Sequence, residues 1–356
     1  MAVIDMLSRL NLDTTVLRTR MATLTQQTTT GLKTQQLGGL GQDLPLALDL
    51  KAQVHRQQTY TAAISAAGGR ATGTQAALGR LQDIAAHFAD SVAIQLDPTD
   101  PQGITRAATE AKAALGQVAL LLNSQQGGQY LFGGTDLANP PLSDAAHIGS
   151  AGFSGQIGAA LGGLGGGNAT AVLNGALTAA ASDAPGVTPF SAFLSDPAAG
   201  LGEARRAVPT ADGQTMAYGV AANRNAAAVS TGTTTGSWAR DLLGGLALLA
   251  NLTPATAAAA PEDFRQLVQG VTGWLKGAAT TLGEEAGALG QTQARMEALR
   301  SAQAATVTAL TTQLAGAQEV DMAATLTRLQ GTQTTLQASY TAIGQLGALT
   351  LVQFLR

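Results

Sequence analysis

Cysteine is absent from the 356 residues of this chain. Without it the protein can form no disulfide bond, no thiolate metal site and no cysteine nucleophile. The absence also suits a chain that must avoid cross-links while it is unfolded.

Charged residues are scarce as well, at 12% of the chain, about half the usual share. The formal net charge is −3, so the chain has no excess of positive charge for the phosphate backbone of a nucleic acid. A membrane-spanning helix needs roughly 18 apolar residues in a row, and the sequence contains no such run. The sequence therefore predicts neither a nucleic acid nor a membrane as a partner.

Residues that could carry catalysis are not grouped in the sequence. The three histidines, His55, His87 and His147, are far apart, which favours solvated or half-buried side chains over a histidine metal site. Neither the G-x-G-x-x-G nor the G-x-x-x-x-G-K-[ST] phosphate-binding motif is present, despite 43 glycines. Glu284 and Glu285 are adjacent on a predicted helix, so their side chains would point apart. We predict a protein that is not an enzyme and has no catalytic residue, cofactor or metal ion.

Both ends of the chain carry a seven-residue repeat. One row near the N-terminus is Val3, Leu10, Leu17 and Leu24, and a second row, four residues later, is Leu7, Thr14, Met21 and Thr28. Near the C-terminus the rows are Met322, Leu329, Leu336 and Ile343, and, four later, Leu326, Gln333, Tyr340, Gly347 and Phe354. Such repeats predict either an ordinary amphipathic helix or terminal helices that pair as a coiled coil. We favour the coiled coil, with an assembly interface formed by Leu10, Leu17, Leu24, Leu329, Leu336, Tyr340, Ile343 and Phe354.

The polar positions of these terminal helices are poor in charge. Residues 14–34 include nine threonines, and residues 301–356 contain only four charged residues. Threonine is a weak helix former, and i,i+4 ion pairs are almost absent. Such helices gain order mainly from packing, so we expect the termini to fold on assembly and to present a surface for neighbouring protein.

Between the termini, the sequence predicts helices on either side of a different middle segment. Helices are expected at 46–94 and 102–126, separated by the DPTDP break at 97–101, and another begins at 261. Residues 149–167 hold nine glycines, which predicts a flexible loop, and runs such as ATAVLNGALT (169–178) and GQTMAYGVAAN are β-prone. A disordered linker is the alternative to a small β-rich domain. We predict terminal segments 1–43 and 311–356, helical core segments 44–135 and 237–310, and a β-rich outer domain at 136–236.

The stretch QQGGQYLFGGTDLANPPL, residues 125–142, combines paired glycines, large side chains and a proline pair. Gly127 and Gly128 could end a helix with positive φ. Tyr130 and Phe132 would then share one face of a short strand, with Leu131 on the other face. Gly133 and Gly134 would turn the chain, and the prolines would prevent a new helix. We predict a rod-to-outer-domain motif made of Gly128, Tyr130, Leu131, Phe132, Gly133 and Gly134; the alternative is an ordinary helix cap with two core aromatics.

The layout and several segments resemble the flagellin superfamily. LQASYTAIGQLGALTLVQFL (336–355) is similar to its C-terminal signature, in which a helix with small residues lines an axial channel. TGLKTQQLGGLGQDLPLAL (30–48) is similar to its N-terminal turn, with threonine at the usual serine positions and only Asp43 of an acidic pair. TMAYGVAANRN (215–225) resembles a segment before the returning core helix, and GGQYLFGGTDLANPPL resembles the motif of hook–filament junction proteins.

This resemblance implies a mainly α protein, with an antiparallel helical rod or coiled coil made from both chain ends and a small, mostly β outer domain inserted in the middle. It implies an extracellular structural component of the bacterial flagellum, exported unfolded and assembled as a closed ring of about eleven subunits. The implied partners are further copies of the chain, the first hook-associated junction protein, flagellin and an export chaperone. A short flagellin that forms the filament itself is the alternative. An enzyme or adhesin within 136–236 is disfavoured, because only nine charged residues lie there.

Overall fold

The computed structural model describes residues 2–150, 152–198, 200 and 202–354, with side chains described between residues 8 and 345 of these ranges. The chain divides into two compact units. Unit 1 combines the two ends of the chain, up to Thr59 and from Gln303 onward. Unit 2 is continuous from Tyr60 to Ala302.

Helices dominate the described residues, which confirms the predicted mainly α fold class. In chain order they are α1 (Ala2–Thr30), α2 (Leu44–His87), α3 (Pro101–Leu122), α4 (Gly152–Leu161), α5 (Ala169–Ala181), α6 (Ala192–Ser195), α7 (Trp238–Ala250), α8 (Pro254–Ala259), α9 (Pro261–Gln318) and α10 (Met322–Phe354). The strands form two antiparallel pairs: β1 (Gln125–Gln126) with β2 (Gln129–Tyr130), and β3 (Ala207–Ala211) with β4 (Gln214–Ala217).

In unit 1, α1 packs along α10, and the turn after α1 contacts the break between α9 and α10. Gly31 has a φ of 72°, a conformation that glycine adopts without strain, and its carbonyl accepts a hydrogen bond from Val320 N at 2.9 Å. Lys33 N donates to the carbonyl of Gln318 at 2.7 Å. Asp321 then caps α10, because its Oδ1 accepts from Ala324 N at 3.1 Å. The two terminal helices therefore run antiparallel, as predicted.

In unit 2, the part of α2 from Tyr60 onward lies antiparallel to α9. Gln82 lies beside Gly283 and Gln75 beside Gly290, where a side chain in place of either glycine would meet the glutamine amide. The predicted break after α2 is also present. A π-helical turn at Phe88–Val92 and a 3-10 turn end that helix, and Asp100 then caps α3 at Gly103 N, 2.9 Å away.

The core of unit 2 forms around α7, all of whose residues are buried. Gly244 and Gly245 let this helix approach α9 closely. A Cβ at Gly244 would lie 2.4 Å from the Trp274 ring, and one at Gly245 would lie 2.6 Å from the Leu275 side chain. A helix that is buried on every side needs apolar residues all round, and the sequence WARDLLGGLALLA supplies most of them.

The middle segment contains a two-stranded sheet, as predicted, but it also contains helices that were not predicted. The strands β3 and β4 flank an Asp-Gly turn, and Gly213 has a φ of 70°. The β-prone run 169–178 is wrong as a strand prediction, because it lies in α5. The glycine-rich stretch 149–167 is not one loop either, since α4 occupies 152–161. Alanine has the highest helix propensity of all residues, and burial of Val172 and Ala176 supports α5 further.

Candidate assembly surface and domain junction

The seam between α1 and α10 is the first candidate site. On α1, Leu24 is buried and Leu10 and Leu17 are half-buried, and Thr14, Met21 and Thr28 of the second row are also shielded. On α10, Leu336 is buried and Leu329 and Ile343 are half-buried. The structure thus brings Leu329, Leu336 and Ile343 of the first α10 row into a seam with α1, whereas Met322 of the same row is exposed. Val3 and Leu7 belong to α1, but their side chains lie outside the described residues, as does that of Phe354.

The second row of α10 differs from the prediction. Leu326, Gln333 and Tyr340, four residues after the first row, are exposed. Their place in the seam is taken by Thr325, Thr332 and Ser339, three residues after the first row. With 3.6 residues per turn, the positions three and four residues later lie on opposite sides of a row, and the sequence analysis chose the more apolar of the two sets. Tyr340 is 42% exposed in the single chain, so its place in an assembly interface stays a prediction.

Threonine hydroxyls in the seam are satisfied within their own helices. Thr14 Oγ1 donates to the Asn11 carbonyl at 2.9 Å, Thr325 Oγ1 to the Asp321 carbonyl at 2.7 Å, and Thr332 Oγ1 to the Arg328 carbonyl at 2.8 Å. The hydroxyls can therefore be buried without a polar partner on the opposite helix. Each threonine then presents a methyl group to the seam, which buries less apolar surface than a leucine would. The seam is consequently weaker than an all-leucine coiled coil.

Polar contacts support the seam from its rim. Arg18 Nε donates to the Tyr340 hydroxyl at 2.6 Å, and the guanidinium carbon lies 5.3 Å from the ring centroid. The Lys33 ammonium pairs with Asp43 at 2.9 Å and donates to the carbonyl of Ala317 at 2.8 Å. Asp43 is the acidic residue that the predicted N-terminal turn retains. Because these groups are partly solvated, each pair adds about 1 kcal/mol or less.

Unit 1 keeps large apolar side chains in solvent outside the seam. They include Leu12 and Val16 on α1, Leu46 and Leu48 on α2, and Met322 and Leu326 on α10. Leu326 belongs to the heptad row that the seam leaves uncovered, whereas Met322 is the first member of the other row. Unit 1 therefore has apolar surface that no described residue of the same chain covers.

The 125–142 stretch in unit 2 is the second candidate site, and its first part forms a hairpin. Helix α3 ends at Leu122, and Gly127 and Gly128, with φ of 58° and 74°, form the two-residue turn between β1 and β2. The prediction that these glycines end the helix is therefore wrong. Positive φ at both positions suits a tight hairpin turn as well as a helix end, so the glycines alone did not distinguish the two.

Phe132 is the buried aromatic residue of this stretch. Its ring is 0% exposed and meets the Trp238 ring edge-on, with centroids 6.0 Å apart. Its carbonyl accepts a hydrogen bond from Ala222 N at 2.9 Å, so the outgoing chain is joined to the returning one. Tyr130 and Leu131 are only half-buried, which means that one buried aromatic ring, rather than two, anchors the stretch.

Gly133 and Gly134 follow Phe132, and each position requires glycine for a different reason: the first because another backbone atom lies close to it, the second because of its backbone conformation. A Cβ on Gly133 would lie 2.1 Å from the Asp136 carbonyl oxygen, which no side chain can tolerate. Gly134 has a φ of 67°, in the left-handed region that favours glycine. Together with Phe132 they turn the chain away from β2 beside the returning segment, where Gly133 pairs with Ala221. We call residues 128–134 and 218–228, which hold the middle segment at its two ends, the exit–return junction.

A buried carboxylate holds the returning segment to α9. Glu285 is 1% exposed, and its Oε1 accepts hydrogen bonds from three consecutive backbone amides, those of Ala226, Ala227 and Ala228, at 2.7, 2.8 and 2.8 Å. Arg205 lies near this carboxylate and donates to the Gly219 carbonyl at 3.0 Å. Burial lowers the pKa of Arg205, and the negative charge of Glu285 partly opposes that effect.

A second buried carboxylate fixes the start of α7. Asp241 Oδ1 accepts from Thr235 N at 2.6 Å and from the Trp274 indole at 2.9 Å. Trp238 N donates to Asn225 Oδ1 at 2.9 Å, which connects α7 to the returning segment as well. Hydrogen bonds to a carboxylate, such as those to Asp241, are stronger than those between neutral groups. Together these bonds connect α7, α9 and the junction in one network.

Sequence reasoning missed Glu285. The sequence analysis considered Glu284 and Glu285 only as a possible catalytic pair. In the structure, Glu285 alone faces the core. The available signal was its position in the apolar row of α9, three residues after Leu282 and four before Leu289. A carboxylate in such a row must find hydrogen-bond donors when it is buried.

The first prediction concerns this anchor. Glu285→Gln should lower the free energy of unfolding by about 2 kcal/mol, because three hydrogen bonds lose their charge assistance. Urea unfolding of the purified protein measures the change. Glu284→Gln is the matched control, since Glu284 is exposed on the same helix and should leave the midpoint unchanged. Equal midpoints for the two variants would contradict the anchoring role.

Within the described ranges, no group of three or more metal-ligating side chains comes together. No described helix is long and apolar enough to cross a membrane. No curated protein gives a significant match to the chain.

A family model matches the C-terminal part of the chain. The model describes the bacterial flagellin C-terminal helical region, and it matches residues 272–355, which begin inside α9 and include α10. The matched residues contain the α10 side of the seam and Glu285, the anchor of the returning segment. The C-terminal helices are therefore similar in sequence to the helical region of a flagellin, a structural component of the flagellum.

Proposed function

We propose that the protein is a structural junction component of the flagellum, of the hook-associated protein 3 type, on which flagellin polymerises. The observation that carries the proposal is the motif at 128–134. It resembles the junction-protein motif, and its Phe132 joins the outgoing chain to Trp238 and to the returning segment. A protein that adapts one layer of subunits to a different one above it needs its middle segment held in a defined orientation. The exit–return junction fixes the two ends of the middle segment in this way.

The terminal helices support a role in assembly. Their seam is weak and rich in threonine, and the apolar side chains Leu12, Val16, Met322 and Leu326 remain exposed. Exposed apolar rows of this kind indicate surfaces for other subunits. We propose that they contact further copies of the chain in a ring of about eleven subunits, with the first hook-associated junction protein below and flagellin above. Export as an unfolded chain, with the help of a chaperone, belongs to the same proposal.

A short flagellin is the second candidate, because the matched family model is that of the bacterial flagellin C-terminal helical region. A flagellin would polymerise alone, whereas a junction protein would form at most a closed ring or short oligomers.

Deletion of the chain in its native bacterium separates the two candidates. For a junction protein we expect complete hooks without filaments and flagellin released into the medium. For a filament flagellin we expect the loss of filament protein itself, with no release of another flagellin. Complementation with the wild-type chain is the control. Normal filaments and motility in the deletion strain would overturn both candidates and favour a different activity of residues 136–236.

A further inference from the structure

The side of α1 that faces away from the seam carries a second row of residues, none of them charged. We call this the outer α1 row; it consists of Leu12, Val16, Thr19, Thr23 and Gln26, three or four residues apart on one side of the helix. All five side chains are exposed, and those of Leu12 and Val16 are 68% and 65% exposed. A shallow groove of about 430 Å³ runs beside Val16, Thr19 and Thr23. Large exposed apolar side chains on an uncharged face indicate a surface that another protein covers.

The uncovered row of α10 has the same character. Leu326, Gln333 and Tyr340, together with Gln330 and Gln337 between them, are exposed and uncharged. This row borders the seam directly, because the Tyr340 hydroxyl accepts a hydrogen bond from Arg18 Nε of α1 at 2.6 Å. A further helix on the uncovered row would therefore extend an existing contact between helices.

The two rows match each other when their helices run antiparallel. Because both rows have the same length and spacing, Leu12 then lies opposite Tyr340, Thr19 opposite Gln333 and Gln26 opposite Leu326. The ends of the contact bring large apolar groups together or next to a glutamine, and its centre contains threonine and glutamine, which can hydrogen-bond to each other. One chain cannot form this contact with itself, since the seam holds α1 with its outer row turned away from α10.

We propose that the outer α1 row of one copy binds the uncovered α10 row of the next copy as an antiparallel helix pair. This inference rests on the proposed role in assembly and names the surfaces by which the subunits meet. Copies arranged around one axis point the same way, so α1 meets the neighbour's α10 antiparallel, as it meets its own.

The proposed contact joins two different surfaces of one chain, which makes it a heterologous interface. Such an interface generates a ring or a filament, as either proposed function requires. Contact between two identical rows would instead generate only a dimer.

Disulfide cross-linking tests the pairing, because the natural chain contains no cysteine. A chain with both Leu12→Cys and Tyr340→Cys should form a ladder of dimers, trimers and larger species when isolated flagella are oxidised. The disulfide must join two copies, because it requires Cα atoms within about 7 Å and the outer row faces away from α10 of the same chain. Chains with only one of the substitutions should give no cross-link alone and only dimers when co-expressed. Leu12→Cys with Ala338→Cys is the matched control, since Ala338 is exposed on another side of α10, and it should give no ladder.

Dimers from the Leu12→Cys chain alone would show that identical rows meet and would overturn the proposal, as would equal cross-linking of the Ala338 control. A doubly substituted chain that enters the flagellum and stays uncross-linked would overturn the pairing and leave the flagellar role intact. Absence of the wild-type chain from isolated flagella would contradict the proposed function and the pairing together. If Leu12→Cys with Tyr340→Cys prevents assembly, Thr19→Cys with Gln333→Cys tests the same pairing at its centre, with the same expected ladder.

Discussion

Phe132→Ala is expected to lower the free energy of unfolding by about 3–5 kcal/mol, the largest effect of any single truncation in the exit–return junction. The ring is fully buried and meets Trp238 edge-on, so its removal leaves a cavity next to another large ring. Neighbouring groups are held by hydrogen bonds, including that from Ala222 N to the Phe132 carbonyl, and cannot easily collapse into the space. A loss of this size is a large part of the stability of a domain.

Tyr130→Ala is the matched control for this prediction. The two residues are two positions apart in the same motif, but Tyr130 is only half-buried. We expect its truncation to cost clearly less than that of Phe132. Differential scanning calorimetry of both single variants and of the double variant measures the difference. Equal losses for Phe132→Ala and Tyr130→Ala would show that the packing described around Trp238 does not carry the stability of the junction.

The same variants test the proposed function. If the junction orients the middle segment for assembly, the double variant should be secreted but should not support filaments, with flagellin released into the medium. Filament counts and motility are measured beside the melting curve. A lowered melting temperature with normal filaments would support the packing role of Phe132 and contradict its role in assembly.

The sequence predicted the parts of the fold that depend on regular patterns. The heptad rows predicted the antiparallel terminal helices, and the Asp-Pro segment predicted the end of α2 and the start of α3, because both signals are local. The identity of the second α10 row was not predictable in the same way. Thr325 and Leu326 lie on opposite sides of the first row, and only the packing of α1 selects the threonine.

Other features depended on long-range contacts that a single sequence does not contain. The helix α5 was missed because valine and an Asn-Gly pair suggested a strand, whereas alanine content and burial decided the outcome. Glu285 was missed because its role is set by backbone amides nearly sixty residues earlier in the chain. Tertiary contacts, rather than local propensity, determine both of these features.

A comparison of Leu336→Asp with Leu326→Asp should separate the two heptad rows of α10. Leu336 is 9% exposed in the seam, whereas Leu326 is 42% exposed on the uncovered row. A carboxylate at 336 would be buried against α1 without a partner, at a cost of several kcal/mol. The seam is already weak, because threonine methyl groups replace part of its apolar surface. We therefore expect Leu336→Asp to separate α1 from α10 in the isolated chain and to leave unit 2 folded.

Limited trypsin digestion measures this separation, because Arg20 on α1 and Arg328 on α10 are exposed cleavage sites that the helical conformation protects. Cleavage at both sites should be more than about tenfold faster in Leu336→Asp than in Leu326→Asp, since each 1.4 kcal/mol changes the open population by that factor. Leu326→Asp should match the wild type as a monomer and should fail to enter the flagellum if its row contacts a neighbouring subunit. Equal digestion of both variants would contradict the seam, because a buried and an exposed position cannot tolerate the same charge equally. Normal incorporation of Leu326→Asp would instead leave the seam intact and show that the uncovered row of α10 is not the surface by which the subunits meet.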